Sequence, residues 1–167
     1  MKFLIKKIFL ILLTSVLVSC SDFIFVYDNN KAEVPIKNKT SMDVSGDGAN
    51  IISLYLNKTI KKTDAPNYRL KIFSEQKEFD LVTKDNQVAT VINLQYKINY
   101  TLESALKKCL IINKSILTES SYDKKSSGYN FGSDLSRLNL AEELIEENIE
   151  KFFDHLRNNQ QDLGCKN

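Results

Sequence analysis

The sequence predicts an α+β fold, a two-layer α/β sandwich in which a mixed sheet of about four strands is covered on one face by two helices. Apolar and polar residues alternate through the middle of the chain, as they do in strands with one buried face. On either side of this region, apolar residues recur at helical spacing. Hairpin-linked strands need a cover for their apolar face, and two amphipathic helices provide it.

The first predicted strand is an edge segment over residues 32–40, because Pro35 fits a strand only at an edge. Residues 43–50 are predicted to form a loop. A helix follows within 49–62, where apolar residues at helical spacing precede lysines that suit a helix C-terminus. These apolar residues are Ile52, Tyr55, Leu56 and Ile60.

The next three strands form the centre of the predicted sheet. Residues 68–83 alternate at first, and the Asp-Asn content of residues 84–87 predicts a turn. The clearest alternation in the chain follows, with apolar residues at every even position from Ile92 to Leu102. Residues 109–122 are predicted to form a further strand.

The last helix is predicted from an apolar stripe that lies opposite a row of glutamates. Ser133 or Asp134 can cap its N-terminus, and the tail from Asn158 is predicted to fray. The predicted stripe consists of Leu138, Ala141, Ile145, Asn148 or Ile149, Phe152 and Leu156.

The amino end has the form of an export signal. Three lysines precede a short apolar core, which falls short of the roughly 20 apolar residues that a membrane-spanning helix needs. Residues 17–20 resemble the bacterial lipobox, in which a peptidase cuts before a cysteine that then carries lipid. Several acyl chains hold a protein firmly at a membrane, so Cys20 is the predicted lipidation site.

These signals divide the chain into four predicted regions. They are a signal peptide at 1–19, a lipidated N-terminal segment at 20–33, a single α/β domain at 34–158 and a flexible tail at 159–167. By resemblance to lipoprotein sorting in Gram-negative bacteria, Ser21 does not give the inner-membrane retention that aspartate favours. The predicted location is therefore the outer membrane, lipid-anchored in its inner leaflet on the periplasmic side.

The charge balance argues against a nucleic-acid partner. The whole chain has 23 basic and 21 acidic residues, but three of the lysines belong to the predicted signal peptide. The remaining chain has 20 basic and 21 acidic residues, a net charge of −1. Nucleic-acid binding usually needs a clear positive excess, so we predict no nucleic-acid partner.

Two cysteines remain after Cys20. An oxidising compartment would allow a disulfide between Cys109 and Cys165. Cys109 opens an apolar strand, however, whereas Cys165 lies in a polar tail. The sequence therefore favours two unpaired thiols and leaves the disulfide as the alternative.

The sequence predicts neither an enzyme nor a metal or cofactor site. The single histidine, His155, follows Asp154 near a helix end, and no nucleophile motif accompanies it. Asp43, Ser45 and Asp47 match the start of an EF-hand loop, but its obligatory final glutamate is replaced by Leu54. This segment is predicted to be a polar turn.

Lysines at strand ends and turns are either a solvated surface or, if they converge, a site for phosphate groups. The sequence does not show which of them converge. The lysines are Lys61, Lys62, Lys77, Lys84, Lys107, Lys108, Lys124 and Lys125.

The mature chain resembles the LptE family of lipopolysaccharide-assembly lipoproteins, in its shorter α-proteobacterial form. The resemblance is carried by Cys20 with the aromatic stretch FIFVY (23–27), by YRLKIF and VTKDNQVATVINLQYKINYTL (68–73 and 82–102), and by SSYDKKSSGYN before LAEELIEENIEKFFDHL (120–130 and 140–156). Ser21 and Phe25 depart from the glycine and proline common in the family.

The resemblance implies an outer-membrane lipoprotein without catalysis, which plugs and helps assemble the LptD β-barrel and binds lipopolysaccharide during its transport to the outer leaflet. It implies that a basic residue at the turn between the second and third strands contacts lipid phosphates. Lys84 is the first candidate for this role and Lys77 the second. The alternative is a lipoprotein partner of another envelope lipid-transport complex, while a lipid-anchored hydrolase lacks a nucleophile and base.

Overall fold

A four-stranded sheet forms one layer of the fold, and two helices form the other. The structure, a computed structural model, describes residues 33–83, 89–123, 131–160 and 163–165. In chain order the elements are β1 (Thr40–Gly46), α1 (Ala49–Thr59), β2 (Tyr68–Thr83), β3 (Ala89–Ser104), β4 (Leu110–Asp123) and α2 (Phe131–Asn158).

The sheet is mixed, with the spatial order β1-β2-β3-β4. β1 pairs with β2 in parallel, because α1 returns the chain to the end of the sheet where β1 began. β2, β3 and β4 pair antiparallel in sequence order. The predicted α+β fold, with a mixed four-stranded sheet and two helices, is confirmed.

The first strand lies later in the chain than the sequence predicts, so the predicted strand over 32–40 is wrong. Val34 and Ile36 are buried, which explains the strand-like pattern. They belong to a turn, however, in which the Lys37 N–H donates to the Val34 carbonyl over 3.0 Å. A buried turn and a half-buried strand give the same short pattern of alternating residues.

The predicted loop over 43–50 is also wrong in its first half, because β1 continues to Gly46. Asp43 and Ser45 pair with β2 residues on the side of the sheet away from the helices. Met42 and Val44, on the other side, pack against the core. An edge strand with one wet face accommodates polar residues that would mark a loop elsewhere.

The first helix is confirmed at Ala49–Thr59. Its N-cap, Gly48, has a φ of 68°, a left-handed conformation that glycine adopts without strain. A Cβ atom at this position would lie 2.8 Å from Cδ1 of Ile145 in α2. Ile52 and Leu56 are fully buried one turn apart, and Lys58 lies in the last turn, where a cation favours the helix dipole.

The three long strands confirm the predicted alternation. All six even positions of β3 from Ile92 to Leu102 are buried, and the odd positions between them are not. The predicted turn at 84–87 lies outside the described residues. The pairing of β2 with β3 is irregular between Asp80 and Thr83.

The second helix covers β3 and β4. It begins at Phe131, so Ser133 and Asp134 lie inside its first turn and the predicted cap is wrong. Leu138 is 54% exposed, and the buried stripe begins one turn later at Ala141. The buried apolar residues of the helix are Ala141, Leu144, Ile145, Ile149, Phe152, Phe153 and Leu156.

Asn148 is a buried polar residue at the centre of this interface. Its amide nitrogen donates to the Ile116 carbonyl over 3.0 Å and to the Thr118 hydroxyl over 3.1 Å. Its amide oxygen accepts a 3.0 Å hydrogen bond from the Tyr100 hydroxyl. The Tyr100 ring stacks on Phe152, with 4.1 Å between ring centroids. The stacking of Tyr100 on Phe152 and the hydrogen bonds of Asn148 therefore lie in the same part of the interface between α2 and the sheet.

A disulfide joins Cys109 to Cys165 across 56 residues, so the interpretation as two unpaired thiols is wrong. The Cα atoms lie 5.6 Å apart, within the normal range for this bond. Leu163 packs against the core beside it. Part of the tail that the sequence predicts to be flexible is thus held at the end of the sheet where β4 begins.

We expect Asn148→Ala to lower the free energy of unfolding by about 2–4 kcal/mol, because it leaves several buried polar groups without a partner. Urea unfolding of the oxidised protein measures this change. The matched control is Asn113→Ala, since Asn113 is exposed on β4, and its effect should stay within about 0.5 kcal/mol. Equal stability of the two variants would contradict a structural role for the network.

We expect the double variant Cys109→Ser, Cys165→Ser to be less stable than the oxidised protein by about 2–4 kcal/mol, because the disulfide restricts the unfolded chain. Urea unfolding with and without reductant measures the change. Reductant should destabilise the natural sequence by a similar amount and leave the double variant unchanged. A reductant effect on the double variant would show that another process is being measured.

Candidate functional site

The face of the sheet opposite the helices is the candidate interaction surface, and we refer to it as the open face. It consists of the odd-numbered residues of β2 up to Phe79 and their cross-strand partners on β3 and β4. Within the described ranges, both helices pack on the other face, α1 beside β1 and α2 over β3 and β4. Neither of the described helices covers the open face.

A shallow depression of about 200 Å³ lies at the centre of the open face. Lys77 is exposed here and pairs across the strands with Gln95, while Glu75 pairs with Lys97. Leu117 of β4 completes the lining. The structure thus places Lys77 in the middle of a strand rather than at a turn.

The charges of this depression nearly cancel. Lys77 and Lys97 lie beside Glu75 and near Glu119, which accepts a 2.6 Å hydrogen bond from Gln95 Nε2. Two cations balanced by two carboxylates produce a weak net field at an exposed surface. The depression alone is therefore a modest site for phosphate.

Large apolar side chains are exposed among these polar residues. Phe73, Phe79 and Leu117 have exposed fractions of 47%, 46% and 52%. Phe73 pairs with Asn99, and Phe79 pairs with Asn93, so each ring has polar neighbours. The open face is amphipathic, which suits a partner with both apolar and polar groups.

A polar cluster fixes the start of α2 over the sheet. Arg137 donates to Glu78 of β2 over 2.5 Å, and this hydrogen bond raises the pKa of Arg137. Next to it, Tyr96 donates to Gln76 Oε1 over 2.5 Å, and burial raises the pKa of Tyr96. The Arg137–Glu78 contact ties α2 to β2, and the Tyr96–Gln76 contact joins the neighbouring strands β3 and β2 beside it.

The EF-hand-like segment contacts the same part of β2. Asp43 and Ser45 lie in β1, and the Asp47 carboxylate accepts a 2.8 Å hydrogen bond from the Gln76 backbone N–H. Leu54 lies on α1 and is 61% exposed. The polar residues therefore belong to a strand and the turn after it, and their arrangement is not that of a calcium loop.

His155 lies in the last turn of α2, where its ring Nδ1 is 3.3 Å from Nδ2 of Asn159. Among the described residues, no group of three His, Cys, Asp or Glu side chains is arranged to hold a metal ion. In the same part of the chain, no helix combines the length and the apolar character needed to span a membrane.

The predicted site residues are only partly within the described chain. Cys20 and Lys84 lie outside it, as does the aromatic stretch at 23–27. Among the strand-end lysines, Lys61, Lys62, Lys107 and Lys108 lie in loops at one end of the sheet. Lys77 lies away from them on the open face. The sequence does not reveal that the four loop lysines converge.

Comparison with protein-family models gives no match, and comparison with curated proteins gives none either. Solved structures do share the fold. A rare lipoprotein B from Shewanella oneidensis matches at 13% identity with a TM-score of 0.55, over 75% of this chain and 98% of its own. A minor lipoprotein from Acinetobacter baumannii matches at 14% identity with a TM-score of 0.57, over 75% of this chain and 94% of its own.

A lipoprotein from Caulobacter crescentus is similar at 13% identity, with a TM-score of 0.53 over 74% of this chain and 89% of its own. All three matches cover most of both chains, which excludes a likeness limited to one hairpin or helix. At these identities the comparisons show that the chain has the fold of these bacterial lipoproteins.

Proposed function

We propose that this chain is an outer-membrane lipoprotein of the LptE type, which plugs and helps assemble an LptD-type β-barrel and binds lipopolysaccharide during its transport to the outer leaflet. The observation that carries the proposal is the fold shared with structures named rare lipoprotein B and minor lipoprotein. Rare lipoprotein B is the LptE family.

The amino end supports the proposal independently of the fold. A lysine-rich start, a short apolar core and a lipobox-like sequence ending at Cys20 are typical of a lipid-anchored protein. Lipidation at Cys20 would hold the domain on the inner leaflet of the outer membrane, on its periplasmic side. A barrel in the same membrane would then be within reach.

The open face is the surface that we assign to the barrel. The interior of such a barrel is polar, and the open face offers polar side chains with Phe73, Phe79 and Leu117 among them. Apolar side chains that stand within a polar surface commonly anchor an interface. The outer side of α2, by contrast, carries a row of exposed glutamates.

Lipopolysaccharide has phosphate groups, for which lysine side chains are suitable partners. Glu75 and Glu119 nearly cancel the charge around Lys77, so we assign Lys77 the smaller contribution. Lys84 follows β2 in the sequence and is the first candidate.

We expect a photo-crosslinking amino acid at Phe73 to join the protein to a large outer-membrane β-barrel in cells. Purification in mild detergent and mass spectrometry of the crosslinked product identify the partner. The matched control is the same amino acid at Glu143, which is exposed on α2. Crosslinking from Glu143 but not from Phe73 would contradict the assigned surface, and a lipid-transport complex without a barrel would favour the alternative function.

We expect Lys84→Glu to weaken lipopolysaccharide binding by the purified protein about tenfold and Lys77→Glu about threefold, because each replaces a phosphate partner with a repelling charge. Titration with lipopolysaccharide, followed by fluorescence or calorimetry, gives the two affinities. Lys151→Glu on α2 makes the same change in net charge and should leave the affinity unchanged. Equal effects of all three substitutions would show that only net charge matters.

A further inference from the structure

Three loops meet at the end of the sheet where β1, β2 and β4 begin, and backbone hydrogen bonds join them. Asn38 N–H donates to the Ile60 carbonyl over 2.7 Å, which links the segment before β1 to the end of α1. Asn67 N–H donates to the Lys39 carbonyl over 2.8 Å, and Ala105 N–H donates to the Asn67 carbonyl over 2.8 Å. Segments 33–40, 58–69 and 103–110 thus form one surface, which we call the basic end.

The basic end has eight basic and three acidic residues. Two of the acidic residues are already engaged, because Glu33 pairs with Lys37 and Glu103 pairs with Lys71, each over 2.9 Å. The exposed cations of the basic end are Lys39, Lys58, Lys61, Lys62, Arg69, Lys107 and Lys108.

The opposite half of the domain has the opposite charge. Its described residues, 75–83, 89–95, 117–123 and 131–147, contain two basic and ten acidic residues. β3 has 16 residues and spans about 50 Å from the basic end to the far end of the acidic half. The nearest strand residues of the two halves, Arg69 and Glu75, are six residues apart in β2, a separation of about 20 Å. This separation is more than twice the screening length of about 8 Å at physiological salt, so the acidic half reduces the field at the basic end only weakly.

The backbone of the basic end is also unusual. Asn38, Lys61 and Lys108 are the non-glycine residues with positive φ in the described chain, and all three lie in these loops. Glycine or asparagine would adopt this conformation more readily than lysine. The chain therefore has lysines at two positions where the backbone favours other residues.

Two of the cations share a concave site. Arg69 and Lys108 line a depression of about 390 Å³ together with Ser104, Cys109 and Glu103, whose carboxylate is paired with Lys71. A guanidinium and an ammonium group on one concave surface are suitable partners for a phosphate group. Lys61, Lys62 and Lys107 extend the positive surface around it.

We propose that, before the anchored domain enters a barrel, the basic end rests on the phosphate groups of an anionic membrane surface, on the leaflet that holds the lipid anchor. The inference rests on the proposed anchoring through Cys20. Glu33, where the described chain begins, belongs to the basic end and is 13 residues after Cys20. A chain of that length spans at most about 45 Å, so the anchor keeps this end near the membrane.

The charge of the basic end is sufficient for such a contact. Each lysine or arginine close to an anionic bilayer strengthens binding by about fivefold, and the effect fades within a screening length. A lipid anchor combined with a basic surface is a stable two-part attachment. The acidic half then points away from the headgroups.

Lysine labelling of the full mature lipoprotein on vesicles tests this orientation. The protein is reconstituted into vesicles of phosphatidylcholine alone or with phosphatidylglycerol, and floated vesicles are treated with a membrane-impermeant amine reagent. Mass spectrometry then compares Lys61, Lys62, Lys107 and Lys108 with the internal reference Lys97 on the open face. We expect anionic vesicles to lower the labelling of the four lysines at least threefold at low salt, and high salt to restore it.

The outcomes separate the inference from the function on which it rests. Failure of the protein to float with neutral vesicles contradicts the lipid anchoring and the inference with it. Flotation with equal labelling on neutral and anionic vesicles contradicts the inference alone. Protection by inorganic phosphate on neutral vesicles, equal to that on anionic vesicles, would assign the basic end to free phosphate and overturn the membrane contact.

Charge reversal provides the matched variants. In Lys62→Glu, Lys107→Glu, labelling of Lys61 and Lys108 on anionic vesicles should rise to the level seen on neutral vesicles. The control Lys114→Glu, Lys151→Glu makes the same change in net charge outside the basic end and should keep both lysines protected. Loss of protection in both variants would show an effect of net charge alone and overturn the proposed contact.

Discussion

The burial of one amide, that of Asn148, is the constraint on which the arrangement of the two layers depends. Apolar side chains tolerate several positions of a helix on a sheet, but a buried amide has hydrogen-bond partners in only one of them. Asn148 finds these partners on β3 and β4, at Tyr100 and Thr118. With this position fixed, the start of α2 meets Glu78 through Arg137, and its end leads to the disulfide.

The elements whose hydrophobic pattern continues over many residues could be predicted from the sequence. β3 has six buried even positions, and α2 repeats its buried residues over about four turns, so each pattern is too long to arise by chance. β1 could not be predicted, because Val34 and Ile36 imitate a strand in a buried turn while the real strand carries Asp43 and Ser45. The disulfide was missed for another reason. The polarity around Cys165 is local, whereas its distance from Cys109 depends on the whole fold.

The difference between local sequence patterns and contacts set by the whole fold also applies to the candidate surfaces. The sequence identifies Lys77 as a candidate, but only the cross-strand pairing shows that Glu75 and Glu119 offset its charge. The lysines at 61–62 and 107–108 are nearly 50 residues apart in the chain. They come to one end because α1 returns the chain to the start of β1, and β3 ends where β2 begins. Strand direction, which composition does not encode, therefore creates the separation of charge.

The bond between Cys109 and Cys165 makes a covalent ring of β4, α2 and the residues after them. A protease that cuts one peptide bond within this ring opens the main chain but releases no fragment, because the two pieces remain joined through sulfur. The nicked molecule also retains the contacts of α2 with the sheet, including those of Asn148. Such a domain survives a single cleavage within the ring as one particle.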